Sequence, residues 1–516
     1  MASAAAALTP RGLLMNQPLN VAPAATDHPV VSTPGTRTHV APRLLRRRLH
    51  DATDYASWAE AAKALDRLSG RERWRQRDIS ALYDYANLRE RVDHLRALRA
   101  KGDNQGLVFA IEEGVHGNLG GMGKPILYSK ARFGTKQLIE DYVDCVAEAL
   151  RHIERLPRRE MSDAAKLDLF RRASHCYGRS ALMFSAGGAL VYFHFGVAKA
   201  LLEQRLLPNV LSGSSAGAIT VALLGTHTEA ELDALFAAGN LRVGDEWAPN
   251  WFERSTGLRR VFDADAFDAT FERLIPDLTF REAFERSGRH ISISVSPCER
   301  HHSPRLLNAL TAPHVLIRSA VQASCSVPGL FEPVQLMARD AQGRTVPYLR
   351  SRWIDGVFAA DLPAKQLARL YGTNHYIVSM INPFLLPTFR DHKLQGTGLQ
   401  PLARSAKSAA RSALKTADVY LGKYLPTSSL GVVNKVAHDL LSQDYVGDIS
   451  IAPRRRVFSP LRLLSPYTND EIDELMRVGE RQTWPRIEMI RICTQISRTL
   501  EEILERVDRG AIEALT

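Results

Sequence analysis

The sequence has little cysteine, and none of it is spaced for pairing. Cys145, Cys176, Cys298, Cys325 and Cys493 are five in number, far apart, and form no C-x-x-C. That spacing argues against a disulfide framework and against a zinc site, and a reducing compartment is expected. Long apolar runs are also scarce. The window 181–202, ALMFSAGGALVYFHFGVAKALL, is interrupted by His194, Lys199 and a glycine pair. It reads as strand, loop and buried helix rather than a membrane span. The N-terminus, MASAAAALTPRGLLMNQP, has no basic residue ahead of its alanine run and makes a poor secretory signal. A nucleotide loop is missing too. In VHGNLGGMGKPILYSKARFG, Gly117 and Gly123 are one residue too far apart for G-x-x-x-x-G-K, and Pro125 stands where Ser or Thr is needed. No internal repeat is present.

What remains is the composition of a globular protein. The 516 residues are 45% apolar and 24% charged, enough for two or three domains. The net charge of +11 is concentrated: residues 1–50 and residues 390–423 carry +5 each. Two local basic segments point to an anionic surface, lipid headgroups or nucleic acid, or else to solvated faces. Within LARSAKSAARSALKTADVYLGKYL, Arg404, Lys407, Arg411 and Lys415 recur every three or four residues, which makes a basic stripe on one helix face. Interleaved aromatics and any recognisable nucleic-acid module are missing, so a lipid surface is the preferred partner and no nucleic acid is expected.

The texture changes along the chain. Residues 1–51, rich in Ala, Pro and Thr and ending in RLLRRRLH, are expected to be a disordered basic tail. WAEAAKALDRL, YDYANLRERVDHLRALRA and TKQLIEDYVDCVAEALRHI have helical periodicity. From about residue 179 strands alternate with helices: ALMFS, LLPNVLS, a half-buried HISISVSP, RSRWIDG and NHYIVSMINP are strands, and AITVALLG is a helix. That alternation predicts an α/β domain with a mainly parallel sheet. TNDEIDELMRVGERQTW begins a final helical region.

Gly213-Ser214-Ser215-Ala216-Gly217 fits G-x-S-x-G on a strand-turn-helix, which exposes a serine hydroxyl for attack. Small-residue turns also fill this pattern. Acyl transfer further needs a base and oxyanion donors. Ala186, Gly187 and Gly188 lie on a second strand-helix loop, where backbone N–H groups can approach a substrate closely; close helix–strand packing is the alternative. For the base, His375, His392 and His438 lie late in the chain, but nothing local marks them. Asp355, in Trp353-Ile354-Asp355-Gly356, ends an apolar strand, where functional groups of a parallel sheet gather; a plain Asp-Gly turn is the other reading.

These motifs together resemble the patatin-like phospholipases, which use a Ser–Asp dyad without a histidine. WIDGVFAADLPAKQLARLYGTNHYIVSMINPFLLP, ASCSVPGLFEPV, GNLGGMGKPILYSKARFGTKQLIEDYV and GERQTWPRIEMIRICTQI look like the triacylglycerol-lipase branch of fungi and plants and its bacterial relatives. The likeness runs from about Trp58 to about Glu505. It implies a three-layer α/β/α catalytic domain over 176–385. Around it are expected a helical lipase-associated domain over 52–175 and a basic, helical region over 386–516. It implies Ser215 as nucleophile, Asp355 as base, Ala186, Gly187 and Gly188 as oxyanion donors, Gly213, Ala216 and Gly217 as the elbow, and no metal or cofactor. The expected substrate is triacylglycerol at a membrane or lipid-droplet surface, met peripherally from the cytoplasm by a protein that is not secreted. Phospholipase A or lysophospholipase action, or a catalytically weak lipid-surface binder, are the alternatives. Ala186, Val191 and Val357 depart from the family pattern, and a positive φ at Ala186 or Val191 would strain the loop. None of the sixteen histidines has Asp five positions later, so acyl transfer to lysophospholipid is not expected.

Overall fold

The computed structural model describes residues 37–237, 240–241, 272–299, 303–327, 331–356, 361–382, 447–453 and 467–513. The basic stripe at 404–415, Val357, His392 and His438 lie outside the described residues. Before the first strand come α1 (Arg37–Asp51), α2 (Tyr55–Leu68), α3 (Arg71–Gln76), α4 (Tyr85–Lys101), α5 (Asn104–Gly114), α6 (Pro125–Lys130), α7 (Gln137–Glu154) and α8 (Asp163–Tyr177). Their starts are set by side-chain caps: Asp54, Asp84, Asp103 and Ser162 each accept a backbone N–H from the first turn of α2, α4, α5 and α8. The strongly amphipathic α7 is the centre of this layer, with Leu138, Ile139, Tyr142, Val146, Leu150 and Ile153 all buried.

Two readings of this region change. Composition predicts disorder through residue 51, yet Arg37–Asp51 is helical, because Leu49 packs on a small cluster around Ala52, Trp58 and Trp484. The glycine-rich stretch before α7 is not wholly a loop: Pro125 opens the short α6, its fixed φ suiting the first helical position.

Among the described residues the sheet has eight strands: β1 (Arg179–Phe184), β2 (Val210–Gly213), β3 (His290–Pro297), β4 (Arg305–Asn308), β5 (Val334–Arg339), β6 (Thr345–Asp355), β7 (Thr373–Ser379) and β8 (Ile449–Ile451). The order is β5-β6-β3-β2-β1-β7-β8, with β4 also on β3. The run from β3 to β8 is parallel, and β4, β5 and β6 are antiparallel to their neighbours. The interleaved helices are α9 (Val191–Glu203), α10 (Ala216–Thr226), α11 (Glu229–Ala237), α12 (Phe280–Ser287), α13 (Ile317–Cys325) and α14 (Ala364–Tyr371), and α15 (Asn469–Glu513) closes the fold.

The sheet is covered on both faces, as a parallel sheet must be. Alternation along β1 sends Leu182 and Phe184 into the core shared with α9, α10 and α15, and Ala181 and Met183 into a second core with Leu367 and Tyr371 of α14. The same cover explains a difference at β3. Its Ile/Ser alternation predicts a half-buried strand, but Ser292, Ser294 and Ser296 are buried as well as the isoleucines.

α15 meets α9 at a pair of glycines. A Cβ on Gly196 would fall 2.0 Å from the Met476 carbonyl oxygen, and one on Gly479 would fall 2.3 Å from that of Phe193. The two backbones therefore touch, and α15 ties the N-terminal helices to the sheet. Among the described residues no helix is long and apolar enough to cross a membrane.

Candidate active site

The carboxyl ends of β1 and β2 are adjacent, with Phe184 beside Gly213. Each strand then turns into a helix on the same side of the sheet, and these two turns hold the candidate nucleophile and the glycine loop. Ser215 has φ +53° and ψ −118°, a conformation L-residues avoid. It costs on the order of 1–3 kcal/mol and persists because neighbours enforce it. The Ser215 N–H donates to Ser324 Oγ at 3.0 Å, and that hydroxyl donates on to the Ser294 carbonyl at 2.8 Å. Behind the turn, glycine is required by contact. A Cβ on Gly213 would sit 2.1 Å from the Gly217 carbonyl oxygen, and one on Gly217 would sit 2.1 Å from that of Phe184. Ala216 and Gly217 start α10, whose N-terminal end favours negative charge beside Ser215.

Asp355 arrives by a route the sequence does not give. The expectation was the carboxyl end of a parallel strand, but β6 runs antiparallel to β3. It overhangs β3, pairing Trp353, Ile354 and Asp355 with Pro297, Ser296 and Val295 in turn. Asp355 thus reaches the carboxyl edge of the parallel strands from outside. It is buried, at 1% exposure, and its N–H donates to the Ser326 carbonyl at 3.0 Å. Gly356 presses on the Ser294 carbonyl, where a Cβ would lie at 2.1 Å. The end of α13, Ser324-Cys325-Ser326, therefore bonds to Ser215 through its first residue and to Asp355 through its last. Burial, and then the Asp355 carboxylate, push the Cys325 thiol well up.

The glycine loop is braced from both sides. His194, fully buried on α9, has Nε2 2.9 Å from the Ser185 carbonyl and Nδ1 2.7 Å from Ser379 Oγ. The carbonyl can only accept, so Nε2 donates and Nδ1 accepts from the hydroxyl. Burial lowers the His194 pKa to about 3, so it is neutral. On the other side, the Ala186 N–H donates to Asp361 Oδ1 at 2.7 Å. The Ala186 N–H, expected among the oxyanion donors, is thus engaged away from a substrate. Burial raises Asp361 to about 7 against the pull of the Ala186 N–H and the Asn382 side chain. Gly188 has φ +56°, where glycine is needed, while Val191 has φ −47° and opens α9. Among the described residues only Asn118, Arg205 and Ser215 have positive φ without being glycine, so Ala186 and Val191 are unstrained.

His375, the competing base, lies elsewhere. It pairs with Ser180 in the sheet register and its Nδ1 is 3.0 Å from Ser180 Oγ. Ser180 is at the amino end of β1, four residues or about 13 Å along the strand from Phe184. Sequence reasoning missed Ser324, Ser326, His194 and Asp361 as supports. A second carboxylate six residues after Asp355 was a visible signal; the serines of α13 carried none.

Comparison with known proteins bears on the same segments. Residues 182–368 match the family described as patatin-like phospholipase, and residues 36–175 match a domain of unknown function, DUF3336. A triacylglycerol lipase of Schizosaccharomyces pombe is 31% identical over 89% of this chain and 75% of its own length. The chain belongs to the patatin-like phospholipase family. Further similar members are a triacylglycerol lipase of Arabidopsis thaliana, 32% identical over 89% of this chain and 58% of its own, and a patatin-like phospholipase domain-containing protein of Pyricularia oryzae, 32% identical over 91% of this chain and 64% of its own. The chain thus spans about three-fifths of the length of these two patatin-like relatives. The family match includes Ser215, Asp355 and Asp361.

Proposed function

We propose that the protein is a lipid acyl hydrolase that uses Ser215 and Asp355 to release fatty acid from triacylglycerol. The observation that carries this is the strained Ser215 turn, tied through the end of α13 to the strand that delivers a buried Asp355. In this reading the Ser215 hydroxyl attacks the ester carbonyl while its proton passes to Asp355. The carbonyl π electrons move to oxygen, and the oxyanion is held by the N–H groups of Gly187 and Gly188 and by the α10 terminus. The C–O bond to the glyceride breaks, and Asp355 returns the proton to the departing alkoxide. Water, deprotonated by Asp355, then attacks the acyl carbonyl; the bond to Ser215 Oγ breaks, Asp355 returns the proton to that oxygen, and the fatty acid is freed.

Triacylglycerol is favoured because the S. pombe and A. thaliana relatives carry that activity in their names. Phospholipid is the second reading, favoured by the name of the matched family. Contact with the lipid surface is peripheral, through the basic segments. Fatty-acid release from triolein emulsion and from phosphatidylcholine vesicles separates the two. The proposal expects triolein to be cut at least ten times faster and Ser215→Ala to abolish release. Faster release from phosphatidylcholine would move the protein to the second reading, and full activity in Ser215→Ala would remove both.

A further inference from the structure

A cavity of about 860 Å³ opens between α1, α2 and α15, and none of its lining residues belongs to the elbow or the glycine loop. Its volume is that of a small-molecule site. Five arginines line it, Arg46, Arg71, Arg132, Arg481 and Arg486, and no lining residue is acidic. The nearby carboxylate is Asp66, which is itself buried. It lies 3.8 Å from Arg71 and 3.5 Å from Arg132, and accepts the backbone N–H of Arg132 and Phe133. Asp66 thus sets one negative charge against the two positive charges of Arg71 and Arg132. Among the described residues Arg46 and Arg481 pair with no carboxylate; Arg481 donates to the Ala52 carbonyl at 3.3 Å.

Beside the arginines and the polar His50, Ser129 and Gln482, the wall is aromatic and apolar. Trp58 and Trp484 line the cavity and belong to a buried cluster with Ala52, Ala59 and Ala62. The Trp484 indole N–H is buried and has no acceptor, whereas a buried indole usually finds one. Guanidinium groups match carboxylate and phosphate oxygens in paired hydrogen bonds. Arginines beside an apolar wall fit a ligand with an oxyanion at one end and hydrocarbon behind it. Trp58 and Trp484 are 6% and 3% exposed, too enclosed to stack on nucleic-acid bases.

We propose that this cavity binds an anionic amphiphile, its phosphate or carboxylate among the arginines and its acyl chain against Trp58 and Trp484. The site stands apart from Ser215, so it holds whether or not Ser215 is the nucleophile. An ether-linked dioctyl glycerol phosphate tests it, because an ester hydrolase cannot cut the probe. Titration calorimetry on the full chain should give saturable binding that weakens with salt. Arg46→Gln with Arg481→Gln should weaken binding at least tenfold while moving the melting temperature by no more than about two degrees. Trp484→Phe should weaken it measurably with the ring kept. Decanoate serves as the carboxylate arm: the tighter of the two probes assigns the headgroup, phosphate lipid or free fatty acid. Equal binding of the uncharged dioctyl glycerol ether, or wild-type affinity in the double arginine variant, would overturn the proposal. So would inorganic phosphate binding as tightly as the amphiphile, or a single-stranded oligonucleotide competing through the same arginines.

Discussion

At the scale of single residues, the site rests on groups whose charge is set by burial. His194 and Asp361 brace the same loop and titrate in opposite senses. The His194 pKa falls from 6.5 to about 3 on folding, so the stability it contributes is fully present above 6.5 and is lost as pH falls toward 3. The Asp361 pKa rises from 3.8 to about 7, so its contribution is present below 3.8 and is lost as pH rises toward 7. Between about pH 4 and 6.5 the two slopes, each about 1.4 kcal/mol per pH unit, oppose one another. Asp361→Asn keeps an acceptor for the Ala186 N–H and removes one slope. Urea unfolding of this variant should show stability climbing with pH across that window, about 1.4 kcal/mol per unit more steeply than in the wild type. Parallel profiles would mean that Asp361 is ionised in the fold, and the loop would then need another account.

At the scale of elements, the backbone contact between α9 and α15 is the feature most sensitive to one atom. Gly479→Ala adds a methyl where the Phe193 carbonyl already lies, so the helices must separate or bend. Overpacking of this kind costs typically 1–3 kcal/mol. The expected outcome is a melting temperature lower by several degrees and earlier proteolytic release of the C-terminal helix; an unchanged melting curve would show that the contact is looser than described. The elements themselves were largely legible. Periodicity marked α2, α4, α7, α9, α10 and α15, and alternation with short apolar runs marked β1, β2, β3, β6 and β7. Strand direction was not legible, because an antiparallel β6 and a parallel one have the same local pattern. The full burial of β3 was also hidden, since serines read as a solvent face until a helix is seen to cover them. The glycines at 213 and 217 were readable as a turn, but that Gly217 presses against the carbonyl of Phe184, 33 residues earlier in the chain, was not. Ser324 became visible as a support only when the end of α13 was brought beside Ser215.

At the scale of the whole molecule, the question is how the protein meets an insoluble substrate. No described helix is long and apolar enough to cross a membrane, and the basic stripe Arg404, Lys407, Arg411 and Lys415 is the proposed surface contact. Each such residue contributes about 1 kcal/mol near an anionic surface. Changing all four to Glu should lower sedimentation with phosphatidylserine vesicles by at least a hundredfold in partitioning and flatten its salt dependence, while hydrolysis of a short soluble ester is spared. Unchanged vesicle binding would shift the role to the arginines of residues 1–50. The central claim, however, is chemical: one serine, strained on its turn and served by one carboxylate, attacks the ester. A fluorophosphonate, followed by peptide mass analysis and labelling rate, tests it most directly. A single adduct on Ser215 is expected, and a rate several orders of magnitude slower in a folded Asp355→Asn variant. An adduct on another residue, or wild-type labelling of Ser215 in Asp355→Asn, would contradict it.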